Sequence, residues 1–275
     1  MTSRAMWNAI ETLHAGVYFA PDSKARYEAA GLKGYWMGYF ASRSAALGTP
    51  GPALVVATFH GFAPRLVERA VPDAWRLADR DQVLEARYAL ARGLLDPISH
   101  GAAALAPRVR AVLNGVDWAG KPLAAAHADL PVSDDPVVDF WQAVTALREY
   151  RGDCHLAVLT AAGLDGAAAN ALASGTGWAW FADQRTMRGW TEQEWAQAIA
   201  GLVTRGWLNA DGTGTETGIA ARAQLEDATD RVVAAGLDRE ATSRLVTLEA
   251  ELVALADDWA AAHPALAPSR TAHAR

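Results

Sequence analysis

Residues 191–218 read Thr191-Glu-Gln-Glu-Trp-Ala-Gln-Ala-Ile-Ala-Gly-Leu-Val-Thr-Arg-Gly-Trp-Leu-Asn-Ala-Asp-Gly-Thr-Gly-Thr-Glu-Thr-Gly218. Thr191 with Glu194 three positions on is a capping box: the hydroxyl accepts from the Glu194 amide and the carboxylate reaches back. The box predicts a helix over about 192–205 with Trp195, Ile199 and Leu202 on one face. Arg205-Gly-Trp-Leu208 ends that helix and starts a strand. Asn209-Ala-Asp-Gly-Thr-Gly214 is a tight turn, and Thr215-Glu-Thr-Gly218 leads out of it. A long helix is expected from about Ile219 to Ala235 and a last one over about 238–262. Helix, glycine, short strand, Asp-Gly turn, short strand, long helix is the order of a winged helix with one small β-hairpin.

Working outward, residues 155–164 and 165–174 read as short helices joined near Gly163-Leu-Asp-Gly166, and 137–150 as another helix. Residues 118–136 are rich in Pro, Asp and small side chains and read as a linker. The expected division is an N-terminal helical domain over 1–117, a winged-helix domain over 137–263 and a disordered tail over 264–275. In the first domain, Met6, Ile10, Leu13 and His14 form one helical stripe. Pro21 to Gly31 reads as a short helix, and Gly34 to Gly48 has apolar residues at a period near 3.6. Residues 53–62 read as a buried apolar stretch. Helices are expected over 63–78 and 80–96, split by Val71-Pro72-Asp73 and by Asp79 through Asp81, and over 100–115. The class is mainly α.

The composition fits a packed chain: 275 residues, 51% hydrophobic and 20% charged, too apolar for disorder. Twenty-five Lys+Arg against 31 Asp+Glu give a formal net charge of -6, unfavourable for a polyanion partner. Cys154 is the sole cysteine, so no internal disulfide or Cys-cluster metal site is expected. A reducing cytoplasm is the natural setting. The first residues lack a signal peptide's apolar core, and no apolar run reaches the roughly eighteen residues of a membrane span.

Leu202-Val-Thr-Arg-Gly-Trp-Leu208 resembles the end of the recognition helix of MarR-type regulators. Thr215-Glu-Thr-Gly218 is similar to the exit of their wing into the dimerisation helices. That resemblance covers about 135–262. Taken whole, the chain resembles an actinobacterial group of helix-turn-helix proteins, through Tyr18-Phe-Ala-Pro21, Trp36-Met-Gly-Tyr-Phe40 and Arg151-Gly-Asp-Cys-His155. The resemblance implies a fold and a homodimer through the C-terminal helices, unless the N-terminal half covers that surface. It implies no activity.

The sequence departs from a DNA reader where bases would be met. A reading helix needs Arg, Lys, Asn, Gln or Ser at its N-terminal end. Here stand Glu192, Gln193 and Glu194, with Arg205 at the far end and Asp211 and Glu216 about the wing. Arg185 and Arg188 upstream soften the repulsion, but DNA is not the expected partner.

His14, with Glu11 before it and Tyr18 after, is a candidate acid/base oriented by a carboxylate, or an ordinary helix-end histidine. His155 follows Asp153, a candidate N-cap, and at a helix start its imidazole would stay neutral; the alternative is a structural histidine between helices. Trp36, Tyr39, Phe40 and Arg43 share one helix face, an aromatic wall with a cation or else core packing, and Gly38 admits a close approach. Phe59-His60-Gly61-Phe62 reads as a second wall or else as core packing, and Arg151 is a candidate polar contact. The seven histidines are scattered, so no metal is expected, and no motif names a cofactor. The leading expectation is a repurposed winged helix holding a small hydrophobic or aromatic molecule. A cofactor-independent enzyme with His14, Tyr18 and His155 as catalytic candidates, or a ligand-responsive transcription factor, are the alternatives.

Overall fold

The computed structural model describes residues 2–179 and 182–266, so most of the expected tail, 267–275, lies outside the described residues. The helices in chain order are α1 (Arg4–Ala15), α2 (Ser23–Ala29), α3 (Gly34–Ser44), α4 (Pro52–Thr58), α5 (Pro64–Glu68), α6 (Val71–Leu77), α7 (Arg80–Leu94), α8 (Ser99–Arg110), α9 (Pro122–Ala128), α10 (Pro136–Ala161), α11 (Gly166–Gly175), α12 (Gln184–Met187), α13 (Glu192–Thr204), α14 (Glu216–Ala235) and α15 (Arg239–Ala262). The protein is mainly α, as the periodicity predicts. No helix among the described residues is by itself long and apolar enough to cross a membrane.

The axis of the fold is α10. Expected as two helices broken near Arg151-Gly-Asp153, it runs unbroken for 26 residues. Gly and Asp weaken an isolated helix, but here the helix is buried on several sides by α1, α8, α9 and α14. Asp153 is therefore mid-helix and caps nothing on α10. Its carboxylate accepts from the Ala124 amide of α9 at 3.0 Å, and burial pushes it up to about 6. Residues 118–136, read as a linker, thus carry a helix whose Leu123, Ala124 and His127 are buried.

Two apolar cores lie along α10. The larger gathers α1, α3, α7 and α8 with Phe140, Trp141, Leu147 and Tyr150, and takes in Leu245, Leu252 and Trp259 of α15. The smaller joins Val158 and Leu159 to Leu172, Leu202, Leu208 and Leu225. It packs α11 and α13 together with the end of α10 and with α14. Helix α15 packs against α1 and α8 of the N-terminal half.

Three further expectations need correction. The 53–62 stretch is not uniformly buried: it forms α4, with Val55 and Thr58 inward and Leu54 45% exposed. The split expected at Val71-Pro72-Asp73 falls slightly earlier: α5 ends at Glu68 and α6 begins at Val71, with Pro72 in its first turn. The hairpin contains no strand among the described residues, only a single bridge of Leu208 to Gly214. The Asp-Gly turn forms, with the Asn209 amide donating to the Thr213 carbonyl at 2.8 Å. Beyond the bond from the Thr215 amide to the Trp207 carbonyl at 3.1 Å the arms end: Gly206 turns the chain at φ +69, and Thr215 already caps α14 by accepting from the Gly218 amide at 3.0 Å.

Candidate functional site

A cavity of about 370 Å³ lies between the two cores. Trp36, Tyr39 and Arg43 reach it from one face of α3, as their i, i+3, i+7 spacing predicts. Tyr18, Phe59, His60, Arg151 and His155 also line it. Phe40 does not: fully buried behind the wall, it stacks on Trp36 at 5.9 Å and packs on Phe62 at 5.0 Å. Gly38 serves packing and not a ligand, since a Cβ there would meet the Tyr27 ring at 2.7 Å.

One wall of the cavity is charged. Glu149, 2% exposed, accepts from Arg43 at 3.1 Å and from Arg148 at 2.8 Å. Burial would raise this carboxyl, but the two guanidiniums outweigh it and hold the carboxyl well below the usual range. Glu11, read as the orienter of His14, instead accepts from Arg148 at 2.8 Å. Farther along, Glu226 accepts from Arg151 at 2.7 Å and pairs with Arg222 at 2.6 Å. Burial again opposes ionisation, yet Arg222, His155 and Arg151 bring this carboxyl down to about 2.

Tyr39 lies among the cations. Arg43 donates to its hydroxyl at 2.9 Å. Burial pushes the phenol up, but Arg43 and Arg188 outweigh burial and leave it below its ordinary value of 10. Arg188, noted in the sequence only as a basic neighbour of α13, is the principal site residue missed there. It comes from the long connection between α11 and α13 and stacks on Phe62 at 4.4 Å. The same connection is pinned to the N-terminal half: the Ala63 amide donates to the Arg188 carbonyl at 2.9 Å and the Trp190 indole to Gly61 at 3.2 Å.

The two candidate histidines occupy different settings. His14 is fully buried behind Tyr18 and does not line the cavity. His14 Nε2 lies 2.5 Å from the Tyr18 hydroxyl, whose oxygen also accepts from Arg87 at 3.3 Å. His14 Nδ1 lies 3.0 Å from the Thr145 hydroxyl. Burial and the Arg148 charge hold this imidazole well below 6.5, and burial raises the Tyr18 phenol. His155 is a wall residue. The Thr229 hydroxyl donates to the Leu225 carbonyl at 2.8 Å, so its oxygen accepts the His155 Nδ1 proton at 2.9 Å. Nε2 is left as an acceptor. His155 is neutral through burial, which lowers it to about 4, and not through a helix N-terminus.

These values fix an acid response. The folded-state value of His155 is about 4, below the ordinary 6.5, so the unfolded chain takes the proton more readily. Stability from this group is full above pH 6.5 and lost as pH falls toward 4. Thermal unfolding followed between those pH values is expected to show a falling midpoint, with a shallower fall in His155→Gln. Equal slopes for both chains would remove His155 from the response.

Among the described residues, no three His, Cys, Asp or Glu side chains converge as a metal site. Cys154 is buried, which pushes its thiol up to about 11 and disfavours a nucleophilic role.

Helix α13 is capped as expected, with Thr191 and Glu194 exchanging both bonds. Glu194 also receives Arg65 at 2.7 Å. Arg205 donates to the Ala162 and Gly163 carbonyls at 3.0 and 2.9 Å, closing the end of α10. The outward residues of α13 include Gln193, Ala196, Gln197 and Ala200, and no cation stands among them. Comparison with curated proteins and with solved structures gave no match. The Helix-turn-helix family, by contrast, matches over residues 3–266, nearly the full chain, and the protein belongs to that family.

Proposed function

We propose that this protein binds a small, flat, hydrophobic or aromatic molecule in the cavity between its two cores, on a MarR-like helix-turn-helix scaffold turned away from DNA. The carrying observation is the cavity itself: about 370 Å³, walled by Trp36, Tyr39 and Phe59 on one side and by placed polar groups on the other. Concave, largely apolar space with a few convergent polar groups is the common form of a small-molecule site. Against DNA stand the acidic start of α13 and Arg205, whose guanidinium is engaged by α10. Phosphate neutralisation supplies most non-specific affinity, and this surface offers little of it.

The position of Tyr39 favours a second reading, a cofactor-independent enzyme using the same cavity. A phenol held below its ordinary value by two guanidiniums is poised to exchange a proton with a bound molecule.

The test is a thermal-shift screen of planar aromatic compounds, with a DNA titration at low salt beside it. A saturating ligand at a hundred times its Kd should add about 2.7 kcal/mol of stability. Stabilisation by aromatic compounds without DNA retention is the expected result. Salt-sensitive DNA binding with no compound stabilising the chain would overturn the proposal. Chemical conversion of a bound compound, abolished in Tyr39→Phe with binding kept, would select the enzyme.

A further inference from the structure

The cavity's charges do not cancel, and the excess is localised. Five of the six arginines that line it meet carboxylates: Arg4 with Asp227 and Asp230, Arg43 and Arg148 with Glu149, Arg151 and Arg222 with Glu226. Arg188 meets none among the described residues. Its Nε is buried without a hydrogen-bond partner. Its planar face lies on Phe62, and its charge faces the Tyr39 hydroxyl and the cations Arg43 and Arg148. A guanidinium stays protonated in such a place, and a half-buried charge beside a phenol but no carboxylate costs free energy. An anion entering the cavity would remove that cost.

Three more buried N–H groups on the same lining have no partner: Nε of Arg43, Nε of Arg151 and an Nη of Arg222. They favour an acceptor-rich guest. Size narrows the class. An apolar cavity of roughly 150 Å³ takes one benzene ring, and this one is about 370 Å³. From these observations, and resting on the binding function proposed above, we infer that the ligand is a planar, multi-ring aromatic monoanion whose acidic group pairs with the Arg188 guanidinium.

A matched pair of fluorescent probes tests it: anilinonaphthalene sulfonate, a two-ring anion bearing a phenyl group, and phenylnaphthylamine, the same skeleton without the charge. The wild-type chain is expected to bind one sulfonate per molecule on the order of tenfold tighter than the amine, the scale of one charge-assisted hydrogen bond. Arg188→Gln should weaken the sulfonate by a similar factor and leave the amine within about twofold, which also reports that the variant is folded. Arg188→Lys keeps the charge and loses the planar fork, so its sulfonate affinity should fall severalfold. Arg108→Gln removes an exposed cation of α8 that pairs with Glu251, and neither probe should respond.

Equal wild-type affinities for the two probes overturn the anion site and leave the cavity standing. So does sulfonate affinity unchanged in Arg188→Gln or Arg188→Lys, or lowered as much by Arg108→Gln. Failure of both probes to bind the wild type overturns the cavity reading, and the anion site with it.

Discussion

Glu149→Gln is expected to destabilise the protein by about 3–5 kcal/mol, the cost of removing one partner from a buried ionic cluster. Glu149 is 2% exposed and neutralises two guanidiniums from different elements, Arg43 of α3 and Arg148 of α10. Glutamine keeps the shape and removes the charge. Arg148 retains Glu11, but Arg43 is left with the Tyr39 hydroxyl, 7% exposed and without a carboxylate. For a chain of this size each kcal/mol moves the midpoint by about 2–4 °C, so calorimetry should record a drop of roughly 10 °C.

The source of that cost can be separated from lost packing. Where an unpaired cation is the penalty, also removing Arg43 should restore part of what was lost. The double variant Glu149→Gln, Arg43→Met is expected to be more stable than the sum of its single changes, by about 0.5–3 kcal/mol. An additive pair, or a Glu149→Gln chain within about 1 kcal/mol of wild type, would show that the carboxylate does not hold the cluster.

The same cluster shows why the site was only half legible in the sequence. The aromatic wall was visible because Trp36, Tyr39 and Arg43 recur at helical spacing on one helix. The charged wall was not, because its partners are remote: Arg43 and Glu149 are 106 positions apart, and Arg148 and Glu11 are 137. No local pattern encodes such pairs. Arg188 was visible only as a basic residue before α13; its place over Phe62 depends on where the long connection after α11 lands. In the fold, periodicity and the capping box located helices well. Local weakness at Gly152-Asp153 read as a break because propensity ignores burial, and burial kept α10 whole. The Asp-Gly turn was legible, but the strands around it required arm residues that Gly206 and Thr215 already use.

Gly218→Ala is the second large effect, and its sign opposes the usual rule. Alanine in place of a helical glycine normally stabilises by about 0.5–1 kcal/mol. At Gly218 a Cβ would stand 1.9 Å from the Trp207 carbonyl oxygen and 2.7 Å from its carbon. Both obstacles are backbone, so no rotamer change relieves them. The two segments are tied together, since the Thr215 amide donates to that same carbonyl at 3.1 Å and the Thr215 hydroxyl donates to the Gly206 carbonyl at 2.6 Å. A loss of about 3 kcal/mol is expected by urea unfolding, at the upper end for overpacking. Gly201→Ala is the internal control: on α13, with nothing within 4 Å of its Cβ, it should stabilise by the ordinary amount. Two stabilising substitutions would mean that the turn yields freely around Trp207. The predicted opposition of signs would mean that Thr-x-x-Gly is a packing device, joining the turn to α14 at van der Waals contact. Such a device fixes where α14 starts relative to the end of α13 by backbone contact, independently of any ligand.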